Sequence, residues 1–196
     1  MDPHPHLDSV RKELRGPYPS GHRSPEELGD TLARLVWEGF SDAMVDPKIR
    51  ELLDRKGGHV DGGGIWDRAA EELLILHMWA HSRAVEVSFV GTVPSSTIRI
   101  VLDHLHRAIF EDMVSHGTPE AQIPVFEQRV SARYATYHAA ARISNARVGE
   151  VALEHLTHGN GAPDAADTLL LTERAITLIH PLLDFLEGLK LADAEV

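Results

Sequence analysis

Apolar residues recur along most of the chain at intervals of three and four, the spacing that places them on one face of a helix. No run of alternating β-branched residues lies between hairpin turns, so no sheet is expected. Short connections between the periodic segments favour antiparallel neighbours. The pattern therefore predicts an all-α fold, an antiparallel bundle of about five amphipathic helices. Its clearest stripe consists of Ile98, Val101, Leu102, Leu105, Ile109 and Met113.

Residue types that begin and end helices divide this pattern into elements. Ser24 followed by Pro25 predicts a helix start, because serine caps the first amides and proline fits the first turn. Pro47 restarts a short helix, and the glycine-rich segment 57–64 separates it from a long helix over 65–91. That long helix is apolar on nearly all sides in its second half, so it is the candidate for the centre of the bundle.

The same helix-breaking residues predict the domain organisation. Residues 1–23 are interrupted by several prolines and glycines, which predicts an irregular N-terminal arm. Residues 24–190 form the helical bundle domain, and 191–196 are a short tail. A chain of 196 residues is long enough to bury a core without disulfides or metal.

Composition and charge narrow the range of partners. The net charge of −11 disfavours nucleic acid and anionic lipid as the main partner of this acidic chain. The longest apolar run in the central helix is 73–76, far below a membrane span of about 18 residues. We therefore expect no nucleic acid and no membrane partner. The polar N-terminus lacks a signal sequence, which predicts a soluble cytoplasmic protein.

The chain is rich in histidine, with 13 residues, and contains no cysteine. His77 and His81 lie one turn apart on the most apolar helix, so both imidazoles can converge on one ion. His106 and Glu111 on the next helix are the candidates to complete a metal site. A metal ion or haem is the cofactor that this hypothesis implies. The alternative is that His77 and His81 are neutral histidines of the core or of an interface.

A second candidate site is cationic. No acidic residue occurs between Gln128 and Gly149, whereas Arg129, Arg133 and Arg147 fall on one stripe of a continuous helix. Arginine forks bind carboxylates and phosphates, so this strip is a candidate anion-binding site. The alternative is pairing of the same arginines with Asp and Glu elsewhere in the chain.

The preferred functional hypothesis is a non-enzymatic helical interaction module that acts through homo-oligomerisation, as a homodimer, or through binding of a protein partner. Residues 73–90 are apolar on too much of their circumference for five helices to cover easily, and Trp37, Trp66 and Trp79 are typical interface anchors. The alternative is a metal- or haem-binding bundle with a redox or oxygen-handling role, centred on His77 and His81. A third hypothesis is a small-anion sensor that uses the arginine strip. No motif predicts a catalytic residue.

Overall fold

The chain forms seven α-helices in the part that a computed structural model describes, residues 22–56, 68–157 and 164–191. Two strands of two residues each, β1 His22–Arg23 and β2 Lys190–Leu191, pair in parallel. The predicted all-α class is confirmed, and the predicted count of about five helices is too low. In chain order the helices are α1 Pro25–Val45, α2 Pro47–Lys56, α3 Arg68–Phe89, α4 Ser95–Ser115, α5 Ile123–Ala141, α6 Asn145–Leu156 and α7 Ala165–Glu187.

The count includes the short helix that Pro47 is predicted to restart and a second division at Ser144, and both interruptions are complete helix ends. Asp46 is extended after α1, and its carboxylate accepts a hydrogen bond from the Lys48 amide at 2.8 Å, which caps α2. Ser144 is extended after α5 and accepts from the Arg147 amide at 3.1 Å, which caps α6. A side-chain cap satisfies amides that have no partner within the helix. Each interruption therefore separates two independent helices.

The predicted start of the first helix is confirmed. The Ser24 hydroxyl accepts from the Glu27 amide at 3.1 Å, and the Glu27 carboxylate accepts from the Ser24 amide at 3.1 Å. This reciprocal pair is a capping box. At the other end of the chain, α7 continues through Pro181, where the proline ring supplies no amide to the helix.

Helix α3 occupies the centre of the fold. It packs against α1, α4, α5, α6 and α7, and every side chain from 72 to 82 is buried. The apolar surface from which we predict self-association is therefore largely covered within one chain. The exposed apolar residues of this segment are Val87, 49% exposed, and Val90, 68% exposed. Homo-oligomerisation stays a prediction.

The two ends of the described chain lie together. His22 and Arg23 pair with Lys190 and Leu191, so residues at both predicted domain boundaries join one small parallel ladder. Most of the predicted N-terminal arm, residues 1–21, lies outside the described residues, as do 65–67 of the predicted long helix. None of the described helices has the length and apolar character needed to span a bilayer.

Two glycines permit close helix crossings. A Cβ on Gly29 of α1 would lie 2.6 Å from the Val101 carbonyl oxygen of α4. A Cβ on Gly149 of α6 would lie 2.5 Å from the Thr168 carbonyl oxygen of α7. Both distances are far below van der Waals contact with backbone atoms, which cannot rotate away. The α1–α4 and α6–α7 packing therefore requires glycine at these positions.

We expect Gly149→Ala to lower the free energy of unfolding by about 1–3 kcal/mol through overpacking. This loss opposes the roughly 1 kcal/mol by which alanine is the better helix former. Urea denaturation measures the change. Gly188→Ala is the matched control, because a methyl there meets only the Phe185 carbonyl oxygen at 3.9 Å. A Gly149→Ala protein as stable as the parent would contradict the close crossing.

Candidate ligand-binding cleft

Helices α4 and α5 both pack on α3 but do not pack closely along each other in the described structure. The open space between them is a cleft of about 780 Å³, which we call the α4/α5 cleft. Small-molecule sites in proteins occupy about 300–1,000 Å³. The cleft therefore has the size of a site for one drug-sized ligand.

The walls of the α4/α5 cleft are mainly apolar. Phe110 and Val114 line it from α4, and Ile123 and Val130 from α5. Phe110 makes an edge-on contact with the buried Phe126, with ring centroids 6.1 Å apart. This contact holds one aromatic wall against the core. An apolar surface that is supported from behind is preformed for a ligand.

A chain of hydrogen bonds places two polar groups in the same cleft. The Tyr134 hydroxyl lies 2.9 Å from His106 Nε2 and 3.1 Å from the hydroxyl of Ser82, which is buried on α3. Burial raises the pKa of the Tyr134 hydroxyl, so this phenol is neutral. It can donate to the imidazole nitrogen while it accepts from Ser82.

His106 is neutral as well. Burial lowers the pKa of its imidazole, and the Leu102 carbonyl with the charges of Asp103 and Glu127 opposes that shift only in part. A carbonyl accepts a hydrogen bond, so the neutral ring carries its proton on Nδ1 toward Leu102 and presents the Nε2 lone pair to Tyr134. The polar end of the cleft therefore consists of two uncharged groups bonded to each other.

The rim of the α4/α5 cleft is acidic. Arg107 is the one lysine or arginine among the described lining residues, and its guanidinium lies 4.0 Å from the Glu111 carboxylate. The other three acids, Asp103, Glu120 and Glu127, form no ion pair within the described part of the chain. We call Asp103, Glu111, Glu120 and Glu127 the rim carboxylates; all four are exposed.

A second, smaller cleft of about 600 Å³ lies between α1 and α4. Its lining combines the rings of Trp37 and Phe40 with charged groups of both signs, including Arg34, Glu38 and Asp112. Its lining residues include one histidine, His116, and no tyrosine, so it lacks a hydrogen-bonded pair like Tyr134 and His106. The larger cleft is therefore the stronger candidate for a specific site.

The predicted metal ligand His77 is buried on α3 and faces an arginine. Its Nδ1 lies 2.8 Å from the Leu73 carbonyl oxygen, so Nδ1 carries the proton and Nε2 presents a lone pair. Arg174 of α7 donates its Nε–H toward that Nε2 at 3.2 Å and also donates to the Gly39 carbonyl. Burial lowers the pKa of this guanidinium. A cationic group thus occupies the side of His77 that a metal would need.

The other predicted ligands do not join His77 in one cluster. His81 Nδ1 lies 2.8 Å from the His77 carbonyl oxygen, while His106 and Glu111 line the α4/α5 cleft. Residues 22–56, 68–157 and 164–191 contain no group of three or more His, Asp or Glu side chains arranged to hold a metal. Metal or haem binding at these four residues stays a prediction that this arrangement does not support.

The predicted arginine strip is divided between two helices and paired throughout. Arg129 and Arg133 lie on α5 and Arg147 on α6, so the continuous helix that we assumed for the strip is wrong. Arg129 pairs with Glu71, Arg133 with Glu72, and Arg147 with Glu150 at 2.7 Å and Glu154 at 3.2 Å. Anion binding here stays a prediction, and an anion would have to displace these carboxylates.

The pair of Glu72 and Arg133 is the most buried of these contacts. Two hydrogen bonds of 2.8 Å join the carboxylate, 1% exposed, to the guanidinium Nε and NH2 groups. These bonds raise the pKa of Arg133. The sequence indicates such a pair only weakly, because Glu72 directly follows Glu71 and borders the apolar run 73–76. Ser82 and Tyr134 carried no comparable signal.

Comparison with known proteins gives no function by similarity: no family model, no curated protein and no solved structure matches the chain.

We expect Glu72→Gln to lower the free energy of unfolding by about 3 kcal/mol, because the Glu72 carboxylate is 1% exposed and water cannot replace its two bonds to the Arg133 charge. Glu71→Gln is the matched control, since Glu71 and Arg129 are each 22% exposed. Its cost should be about 1 kcal/mol or less. Urea denaturation of both variants measures the difference. Equal losses would contradict the central role of the buried pair.

His106 should make unfolding pH-dependent. Its pKa is lowered in the folded protein, so on acidification the unfolded chain binds the proton first, near the ordinary value of about 6.5. The stability that the neutral ring contributes is present above that pH and is lost as the pH falls toward the folded pKa. His106→Gln keeps an acceptor for Tyr134 and cannot titrate.

Urea denaturation at about pH 7.5 and about pH 5.5 isolates this contribution, because His106→Gln removes only one titrating group. The free energy of unfolding should fall more in the parent than in the variant. His155, whose pKa burial also lowers, contributes equally to both proteins. Identical losses in parent and variant would show that His106 is not held neutral.

Proposed function

We propose that the chain is a non-enzymatic helical binding module that takes up a small amphipathic ligand in the α4/α5 cleft. One observation supports this proposal above the others. Apolar walls and two convergent polar groups, Tyr134 and His106, share a cleft of about 780 Å³. Apolar lining with a few placed polar groups is the usual composition of small-molecule sites.

The chemistry of the polar groups favours binding over turnover. A general acid or base works best when its pKa lies near the operating pH. Burial raises the pKa of Tyr134 and lowers that of His106, so neither group is tuned to exchange protons near neutrality. The bond between them fixes the position of both rings in the cleft, and the Tyr134 oxygen keeps one lone pair that can accept a hydrogen bond from a ligand.

Self-association is the other mode of action that the sequence predicts. The enclosure of α3 within one chain weakens the reason for it, and exposed apolar residues such as Val87 and Val90 are what remains in its favour. The metal and anion hypotheses both require the rearrangement of existing contacts, at Arg174 and at the glutamates that pair with the arginines. Ligand uptake requires no such rearrangement.

A neutral fluorescent probe tests the proposal. We expect 1-N-phenylnaphthylamine, an apolar amine that fluoresces in dry surroundings, to bind with micromolar affinity and one-to-one stoichiometry. Ser131→Trp should strongly weaken this binding, because Ser131 is an exposed residue that lines the cleft and an indole there would occupy part of it. Fluorescence titration gives the affinity.

Ala132→Trp is the matched control, since Ala132 is the next residue of α5, is exposed and does not line the cleft. It should bind the probe as the parent does. Circular dichroism of both variants checks that the helices are intact. The absence of probe binding by the parent, or equal binding by the Ser131→Trp protein, would refute the proposed site.

A further inference from the structure

We infer that the α4/α5 cleft selects a small lipophilic cation, a ligand with an apolar or aromatic body and a fixed positive charge. The inference rests on the proposed function and adds the chemical class of the ligand. Charge, aromatic lining and size each support it.

The charges around the cleft are complementary to a cation. The rim has four carboxylates and one guanidinium, that of Arg107. This guanidinium lies 4.0 Å from the Glu111 carboxylate and 2.8 Å from the His104 ring. Asp103 and Glu127 are close enough to the cleft wall to act on the charge of His106. A cationic ligand would add a countercharge for Asp103, Glu120 and Glu127, which form no ion pair within the described residues.

Aromatic rings line the cleft from both α4 and α5. The His106 ring stacks near Phe110, with centroids 6.3 Å apart, and lies 5.5 Å from the Tyr134 ring. Phe110 and Tyr134 are both partly buried, so each ring is supported by the core. The face of an aromatic ring attracts a cation, most strongly where water is excluded. Rings and carboxylates together recognise an apolar cation better than an apolar neutral molecule.

The volume of the cleft and the net charge of the chain also favour a small lipophilic cation. A cleft of about 780 Å³ accommodates a compact aromatic molecule, whereas an amphipathic peptide helix would need a longer groove. The net charge of −11 attracts cations and repels anions before any contact forms. The carboxylates of the rim then oppose an anion of the same shape.

Tetraphenylphosphonium and tetraphenylborate provide the test, because they share one shape and carry opposite charges. We expect tetraphenylphosphonium to bind the full chain at least about tenfold more tightly than tetraphenylborate in sodium buffer, measured by isothermal titration calorimetry. Raising the salt concentration should reduce this difference, because exposed charges are screened. Ser131→Trp should strongly weaken tetraphenylphosphonium binding, and Ala132→Trp should preserve it.

The double variant Asp103→Asn with Glu127→Gln tests the role of the rim directly. It should weaken tetraphenylphosphonium binding about three- to tenfold and weaken 1-N-phenylnaphthylamine binding less, because the charge of the carboxylates attracts only the cation. The matched control is Glu173→Gln with Asp184→Asn, two exposed acids of α7 that do not line the cleft. It changes the net charge equally and should change the affinity less than twofold.

The remaining outcomes would overturn the inference, the proposed function or both. Tetraphenylborate binding as tight as that of the phosphonium would overturn the inference. Binding of the neutral probe alone, strongly weakened in Ser131→Trp, would overturn the cation class and leave the proposed function standing. Failure of all three probes would overturn both. Phosphonium binding that Ser131→Trp does not change would overturn the assignment to this cleft.

Discussion

The rest of the structure depends on the burial of α3. A helix whose side chains from 72 to 82 are all buried has no water to satisfy its polar groups. Three of these polar residues have partners on surrounding helices: Glu72 binds Arg133, His77 faces Arg174, and Ser82 bonds to Tyr134. Apolar packing alone would tolerate sliding and rotation of the outer helices. These polar pairs specify where α5 and α7 lie along α3.

The same constraint creates the α4/α5 cleft. Arg133 and Tyr134 are neighbours on α5, and their bonds to Glu72 and Ser82 hold that helix against α3 rather than against α4. His106 bridges to Tyr134 from α4 at a single point. The space that remains between the two outer helices keeps apolar walls and an acidic rim. Stability of the centre and access to the cleft therefore have one structural origin.

More of the fold than of the candidate site could be predicted from the sequence. Periodicity and local caps such as Ser24 with Glu27 act within a few residues, so they identify helices directly. Spacing on one helix, as for His77 and His81, does not reveal what another helix brings to it, and Arg174 lies 97 residues away from His77. The bond between His106 and Tyr134 likewise depends on how α4 and α5 flank α3. Predicting such contacts requires the packing, which no local pattern contains.

The most direct test of this account is a crystal structure of the chain with tetraphenylphosphonium bound. The account predicts the phosphonium in the α4/α5 cleft, with its phenyl groups against Phe110 and Tyr134 and its charge toward the rim carboxylates. Density for the cation only in the smaller cleft beside Trp37, or a closed space between α4 and α5, would contradict it.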